Sequence, residues 1–357
     1  MRRVARVVVR PLVVGPLAAA LIAAGVGALA VRSRAQTPHP ASAPVALPTD
    51  AAETGFTWPA PFTPPPAPKP KPKPRVRVAA KAPSGPNLSA FRGLGSWVDL
   101  YDYPKLEPEA AVADMHAHRV KTLYLQTGRW NKPDPKSSEA FMDQALMSRW
   151  LTAAHAAGMK VIGWYLPAYN DMLRDIRRTR AIAVYRSATG QRFDALAIDV
   201  EYKGQMPSLA AWNAAIIEHI TRVRALVGSK YPIGAIVPAP LAMAVRPENW
   251  TGFPWRPLAG SANVFLPMAY WSFRDDCSSV PEHCAYGYTK GNVEQVRALT
   301  RKPNVPIHVI GGVGDSIADA DVARFVSAAR AARAYGGSLY DYLTTKKAWW
   351  SVLAKLN

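Results

Sequence analysis

The sequence predicts an α/β protein: a (β/α)8 TIM barrel over residues 89–357, preceded by an N-terminal hydrophobic segment and a Pro-rich linker. Three observations carry that expectation. From Leu88 onward, short apolar runs alternate with stretches of helical periodicity, and strict alternation implies a parallel sheet. Eight such units in a segment of this length match a closed barrel. No Gly-rich phosphate loop follows the first run, which disfavours a doubly wound open sheet. Gly311-Gly312-Val313-Gly314 comes late, and Asp315 after it would repel an anion.

The units run in order. Leu94–Tyr101 reads as the first strand and Pro108–His118 as its helix. Val120–Thr127 is the second strand, followed by a helix over Ser138–Ala157 that Gly158 stops. Lys160–Leu166 is the third, with a helix over Asp171–Arg186. Asp194–Glu201 is the fourth, with a long amphipathic helix over Ser208–Val227 closed by Gly228. Ile233–Val237 is the fifth, followed by an irregular stretch containing Trp250 and Trp255. Val264–Trp271 is the sixth, with a helix over Val293–Thr300. Ile307–Gly311 and the helix Ile317–Arg333 make the seventh unit, and Ser338–Tyr342 and Lys346–Leu356 the eighth.

The fourth strand stands out. Side chains alternate along a strand, so Leu196, Ile198 and Val200 share one face and Ala195, Ala197, Asp199 and Glu201 the other. The bulky apolar face suits packing against helices. The small face ends in two acids, which suits chemistry at the carboxyl end of a barrel strand. Asp199 and Glu201 lie about 6–7 Å apart along the strand, close enough to couple electrically. The plain alternative is two exposed acids at a strand end.

The first 88 residues differ in kind. Arg2, Arg3, Arg6 and Arg10 precede Pro11–Val31, a run without a charged residue and long enough to span a bilayer. It reads either as a membrane anchor, the favoured reading, or as a secretory signal cleaved near Ser33-Arg34-Ala35. Both export the rest of the chain to the cell envelope or beyond. Residues 36–88 are rich in Pro, Ala and Lys, with Lys69-Pro70-Lys71-Pro72-Lys73-Pro74-Arg75 at their heart. Such a segment favours an extended spacer over a packed core.

The net charge of +19 is divided. Residues 1–88 carry 12 Lys or Arg against 2 acids, which leaves 32 against 23 for the remainder. With no recognition motif beside it, this charge does not point to nucleic acid. It suits anionic polymers of a cell surface. Cys277 and Cys284 are the two cysteines, and in an exported chain a disulfide between them is the natural reading. Cys/His spacing supports neither a metal site nor a catalytic cysteine.

In a barrel every strand's carboxyl end faces one mouth. The first strand brings Trp97, Asp99, Tyr101 and Asp102 there; the second brings Gln126, Arg129 and Trp130. The third brings Trp164 and Tyr165, the sixth Tyr270 and Trp271, and the eighth Tyr340, Asp341 and Tyr342. Aromatic rings match the apolar faces of sugars and carboxylates match their hydroxyls. Trp97, Gln126, Arg129, Trp130, Tyr165, Trp271, Tyr340 and Asp341 are therefore the expected glycan-binding residues. For Trp164, Trp349 and Trp350, simple filling of the barrel is the better account.

Phe193–Glu201 resembles the fourth-strand signature of family 18 chitinases, D-x-x-D-x-D-x-E, and Met268-Ala269-Tyr270-Trp271 resembles their sixth-strand M-x-Y. Ala197 stands where that pattern has its middle Asp, and Ile162-Gly163-Trp164-Tyr165 where it has S-x-G-G. Asp-Val-Glu also resembles the fourth-strand acids of family 25 lysozymes, which pair with a first-strand Asp; Asp99 matches that place. The resemblance implies a glycosidase barrel with Glu201 as general acid, Asp199 orienting a substrate acetamido group, Tyr270 assisting and Asp99 as a third acid. It implies a polysaccharide or oligosaccharide substrate; no cofactor is expected, and the chain is expected to be a monomer. Like-charge repulsion from Asp199 is expected to keep Glu201 protonated while Asp199 stays ionised. A barrel that binds a wall glycan without cutting it is the alternative, and a structural envelope protein a third reading.

Overall fold

The computed structural model describes residues 85–357 apart from 135, 275, 276, 278, 282 and 283. The expected hydrophobic segment and nearly all of the Pro-rich linker lie outside the described residues. Among the described residues no helix is long and apolar enough to cross a membrane.

Eight strands close into a barrel in sequence order, every neighbour parallel. They are β1 (Gly93–Val98), β2 (Thr122–Arg129), β3 (Lys160–Leu166), β4 (Ala195–Asp199), β5 (Ile233–Pro238), β6 (Val264–Met268), β7 (His308–Val313) and β8 (Gly336–Tyr340). Around them run α1 (Pro108–Ala117), α2 (Gln144–Ala156), α3 (Met172–Val184), α4 (Leu209–Val227), α5 (Pro240–Val245), α6 (Trp255–Ser261), α7 (Ala285–Thr300), α8 (Asp319–Ala331) and α9 (Trp350–Leu353). The expected (β/α)8 architecture is the observed one.

Local chemistry sets the boundaries. The side chains of Asp143, Asp171 and Ser208 accept from the backbone N–H groups of Leu146, Arg174 and Ala211, so α2, α3 and α4 begin just after them. For α2 this overrides a periodicity that suggested a start at Ser138. The stretch after β5, expected to be irregular, folds into the short helices α5 and α6, the first with Pro240 at its start. Strand β6 stops at Met268, and Trp271–Phe273 form a 3-10 turn instead of its end.

The two faces of β4 separate as its alternation requires. Leu196, Ile198 and Val200 join the large apolar layer between barrel and helices. Ala195 and Ala197 face the lumen with Phe91, Trp97, Tyr124, Ile162, Trp164, Ile236, Val264, Leu266 and Ile310. The aromatic filling dictates small residues on neighbouring strands. A Cβ on Gly95 would lie 2.6 Å from the Tyr124 ring, and one on Gly234 would lie 2.8 Å from Phe91.

Buried His308 joins the lumen to its floor, with Nδ1 hydrogen-bonded to the Phe91 carbonyl and Nε2 to Ser338, which also accepts from the Trp97 indole. Burial pushes the His308 imidazole down to about 4. A neutral ring then needs one donor and one acceptor nitrogen, and these two partners supply both roles.

Candidate active site

Asp199 closes β4 on the lumen face, and Glu201 is the second residue of the β4–α4 loop. Asp199 is 5% exposed and its Oδ1 has no hydrogen-bond partner. Glu201 is half-buried. Burial raises both carboxyls, Glu201 to about 7 and Asp199 well above its ordinary range, and the Glu201 charge raises Asp199 further. The Arg129 guanidinium opposes both shifts. This departs from the expected division of labour. Desolvation, more than repulsion from Asp199, keeps Glu201 protonated, and the deeper Asp199 resists ionisation more strongly.

Tyr270, just past β6, feels the charges of Glu201, Asp199 and Asp341, and burial holds its phenol in the protonated form. Across the mouth, Asp99 accepts from the Tyr101 N–H at 2.7 Å and from the Tyr340 hydroxyl at 2.7 Å. Both of its oxygens are thus engaged, and it anchors Tyr340, whose ring lies 6.2 Å from that of Tyr270. Asp341 is buried, accepts from the Thr344 N–H, and has its carboxyl raised first by burial. Asp102 is pushed up to about 7 by burial and then by the charges of Asp99 and Asp341.

Carboxyl oxygens of Asp99, Asp102 and Asp341 lie within 4.8 Å of one another, close enough to hold a cation. Most are already satisfied within the chain: Asp102 accepts from the Asp99 N–H and faces Lys105 at 3.7 Å, and Asp99 and Asp341 are bonded as above.

The floor of the mouth is aromatic. Trp97 stacks on Tyr124 with ring centres 4.1 Å apart and meets Trp164 edge-on at 5.8 Å. Trp97 is 1% exposed, so it supports the site from beneath and does not line its surface. Trp164 pairs in register with Ala197, and its buried indole N–H has no partner. The position where the family 18 pattern carries a middle Asp is therefore a methyl beside an indole. Gln126 is also a support: buried, its side chain accepts from the Leu100 N–H.

Arg129 and Trp130 sit on the β2–α2 side. Arg129 donates to the hydroxyl of exposed Tyr101 at 2.8 Å. Trp130 stacks on Tyr202 at 5.3 Å and 14°, which makes a half-exposed aromatic ledge next to Glu201.

Two expected glycan-binding residues turn away. Tyr165 is fully buried in the helix-facing layer and donates to Asp175 of α3. It neighbours Trp164 in the strand, so if one faces the lumen the other cannot. Trp271 lies in the turn after β6, packs on Phe325 of α8 and covers Gly311 and Gly312. The expected disulfide joins Cys277 to Cys284 in the segment between β6 and α7.

One contributor escaped the sequence reading. Arg178 of α3 is fully buried, and its Nη1 and Nη2 donate to the carbonyls of Arg129, Trp130, Lys132, Pro133 and Asp134 at 2.7–3.4 Å. The only signal was its place in the run Arg177-Arg178, which does not say which arginine turns inward.

No protein-family model matches the chain, and no curated protein matches it. Solved structures do. A family 18 chitinase from Cycas revoluta, in complex with allosamidin, superposes with a TM-score of 0.54 at 12% identity, over 73% of this chain and 98% of that one. The chain shares the (β/α)8 barrel fold of that enzyme. An exo-β-1,4-mannosidase from an Opitutaceae bacterium gives 0.57 at 12% identity, over 76% and 62% of the two chains. The PgaB glycoside hydrolase domain from Bordetella bronchiseptica gives 0.51 at 12%, over 74% and 99%.

Proposed function

We propose that the protein is an exported glycosidase that cuts a cell-surface or extracellular polysaccharide, with Glu201 as general acid and Asp199 as its supporting carboxyl. The observation that carries this reading is the pair itself. A half-buried Glu201 raised to about 7 stands beside a buried Asp199 whose Oδ1 is unpaired, at the mouth of the barrel. A catalytic acid works best when its pKa lies near the working pH. An orphaned buried acceptor costs stability unless something fills it, and a substrate N–H would do so.

In the proposed reaction Glu201 gives its proton to the glycosidic oxygen as the C1–O bond breaks and the electron pair moves onto that oxygen. For a 2-acetamido sugar, the acetamido oxygen forms the new bond to C1, with Asp199 Oδ1 accepting the acetamido N–H. Water then attacks C1 as the bond from C1 to the acetamido oxygen breaks and its electron pair returns to the acetamido group, and the Glu201 carboxylate takes the water's proton. Tyr270 keeps its proton and donates a hydrogen bond at the reacting sugar. Asp99, with both oxygens engaged, holds the Tyr340 ring at the site. The Trp130–Tyr202 ledge takes a sugar ring beyond it.

Export rests on the charged-then-apolar N-terminus and on the Cys277–Cys284 bond, which suits an oxidising compartment.

A second reading, a barrel that binds glycan without cutting it, is favoured by one observation. Ala197 and Trp164 occupy the space in which the family 18 pattern places a further acid. A panel of defined oligosaccharides, assayed for new reducing ends with wild type and Glu201→Gln, separates the two. Turnover that Glu201→Gln abolishes supports the glycosidase. Binding with no turnover by wild type supports the second reading.

A further inference from the structure

Building on the glycosidase reading, we propose that Arg178 is the positioning residue of the active-site wall carried by the β2–α2 loop: it touches no sugar, yet its guanidinium sets where Arg129 and Trp130 stand. A buried cation is normally matched by a carboxylate. Among the described residues Arg178 forms no ion pair; Asp175, one turn away, is engaged by Arg174 at 2.9 Å. Five carbonyls of one short loop offset the charge instead, and all belong to residues 129–134. A planar fork can gather five carbonyls, of which those of Trp130 and Pro133 accept no backbone N–H among the described residues while those of Arg129, Lys132 and Asp134 also accept from Lys132, Arg129 and Ser137; a lysine ammonium has three donors and no fixed plane.

The loop's position bears on the chemistry twice. The tightest of the five bonds, at 2.7 Å, holds the carbonyl of Arg129, whose side chain is the cation facing the acid pair. Another holds Trp130, half of the ledge stacked on Tyr202. The titratable and charged groups acting across this part of the mouth are Asp199 at the end of β4, Glu201 just after it, Arg129 from β2, and Tyr270 and Asp341 after β6 and β8. Releasing the loop therefore removes positive charge from the acid pair and uncouples the ledge.

The test uses the full chain with Arg178→Lys and Arg178→Met, in two arms. The first needs no glycan: trypsin digestion followed by mass analysis for new N-termini at Trp130 and Ser137. Both variants should open these bonds faster than wild type, Met more than Lys. The second measures hydrolysis of N-acetylglucosamine hexamer and mannohexaose. KM should rise about tenfold or more while kcat changes far less, and the alkaline limb of the pH profile should move upward as Arg129 leaves. A merely structural role lowers melting temperature without that split or that shift. Unchanged trypsin resistance in both variants overturns the proposal. If wild type cuts no glycan, the glycosidase reading fails by itself and the first arm still decides whether Arg178 holds the loop.

Discussion

Replacing Glu201 by Gln removes one proton and leaves the shape of the site. With the carboxyl at about 7, the acid is almost wholly protonated at pH 5 and only about one-tenth protonated at pH 8. The wild-type kcat/KM on an oligosaccharide should therefore be flat on the acid side of 7 and fall about tenfold for each pH step well above it. Glu201→Gln should cost about 10²–10⁴-fold on that substrate, the usual worth of a positioned acid. The matching 4-nitrophenyl glycoside sheds a leaving group that needs no proton, so the loss there should be about tenfold or less, and the alkaline limb should disappear. The assay is a pair of pH–rate profiles, by reducing-end release and by nitrophenolate absorbance. Equal losses on both substrates, or wild-type hydrolysis of the oligosaccharide by Glu201→Gln, would refute the assignment.

Other outcomes follow from the same structure. Glu201 and Asp102 are both raised to about 7, so the unfolded chain ionises them from about pH 4 upward while the folded one resists; native stability is fully present below those unfolded values and is lost as pH rises toward 7. Calorimetry should find the melting temperature rising between pH 8 and pH 5, reflecting a stability gain on the order of 3 kcal/mol from Asp102 and less from half-exposed Glu201, and Asp102→Asn should flatten the trend. Ala197→Asp places a carboxyl at a fully buried lumen site between Trp164 and Gly234 and should cost about 2–5 kcal/mol, read by urea denaturation; an undiminished midpoint would mean that the lumen there is polar. Free-thiol titration of the unreduced, unfolded protein should find none, and reduction should cost about 2–3 kcal/mol for so short a loop.

Much of the site was legible before the fold was known, because strand alternation is a local property. The bulky and small faces of β4 could be told apart from seven successive side chains, and they separate into helix layer and lumen as expected. The same argument failed for β3. Trp164 and Tyr165 are both large aromatics, so nothing within the strand says which parity faces inward; contacts with Ala197 on one side and Asp175 on the other decide it. Strand ends were illegible for a related reason. A strand runs only as far as its neighbours supply partners, and β6 runs out at Met268, which sends Trp271 to α8.

By itself the sequence determined the class of fold, the order of its units, the lumen face of β4 and the pair of acids at its end, since each depends on periodicity within a few residues. Tertiary structure alone decided what those acids experience and what surrounds them. The burial that raises Glu201 and Asp199, the bond from Tyr340 to Asp99 across 241 positions and the grip of Arg178 on a loop more than forty positions away all join distant segments. A chain records such contacts only once it has closed into a barrel, because desolvation and long-range hydrogen bonds belong to the enclosed volume and not to any one stretch of residues.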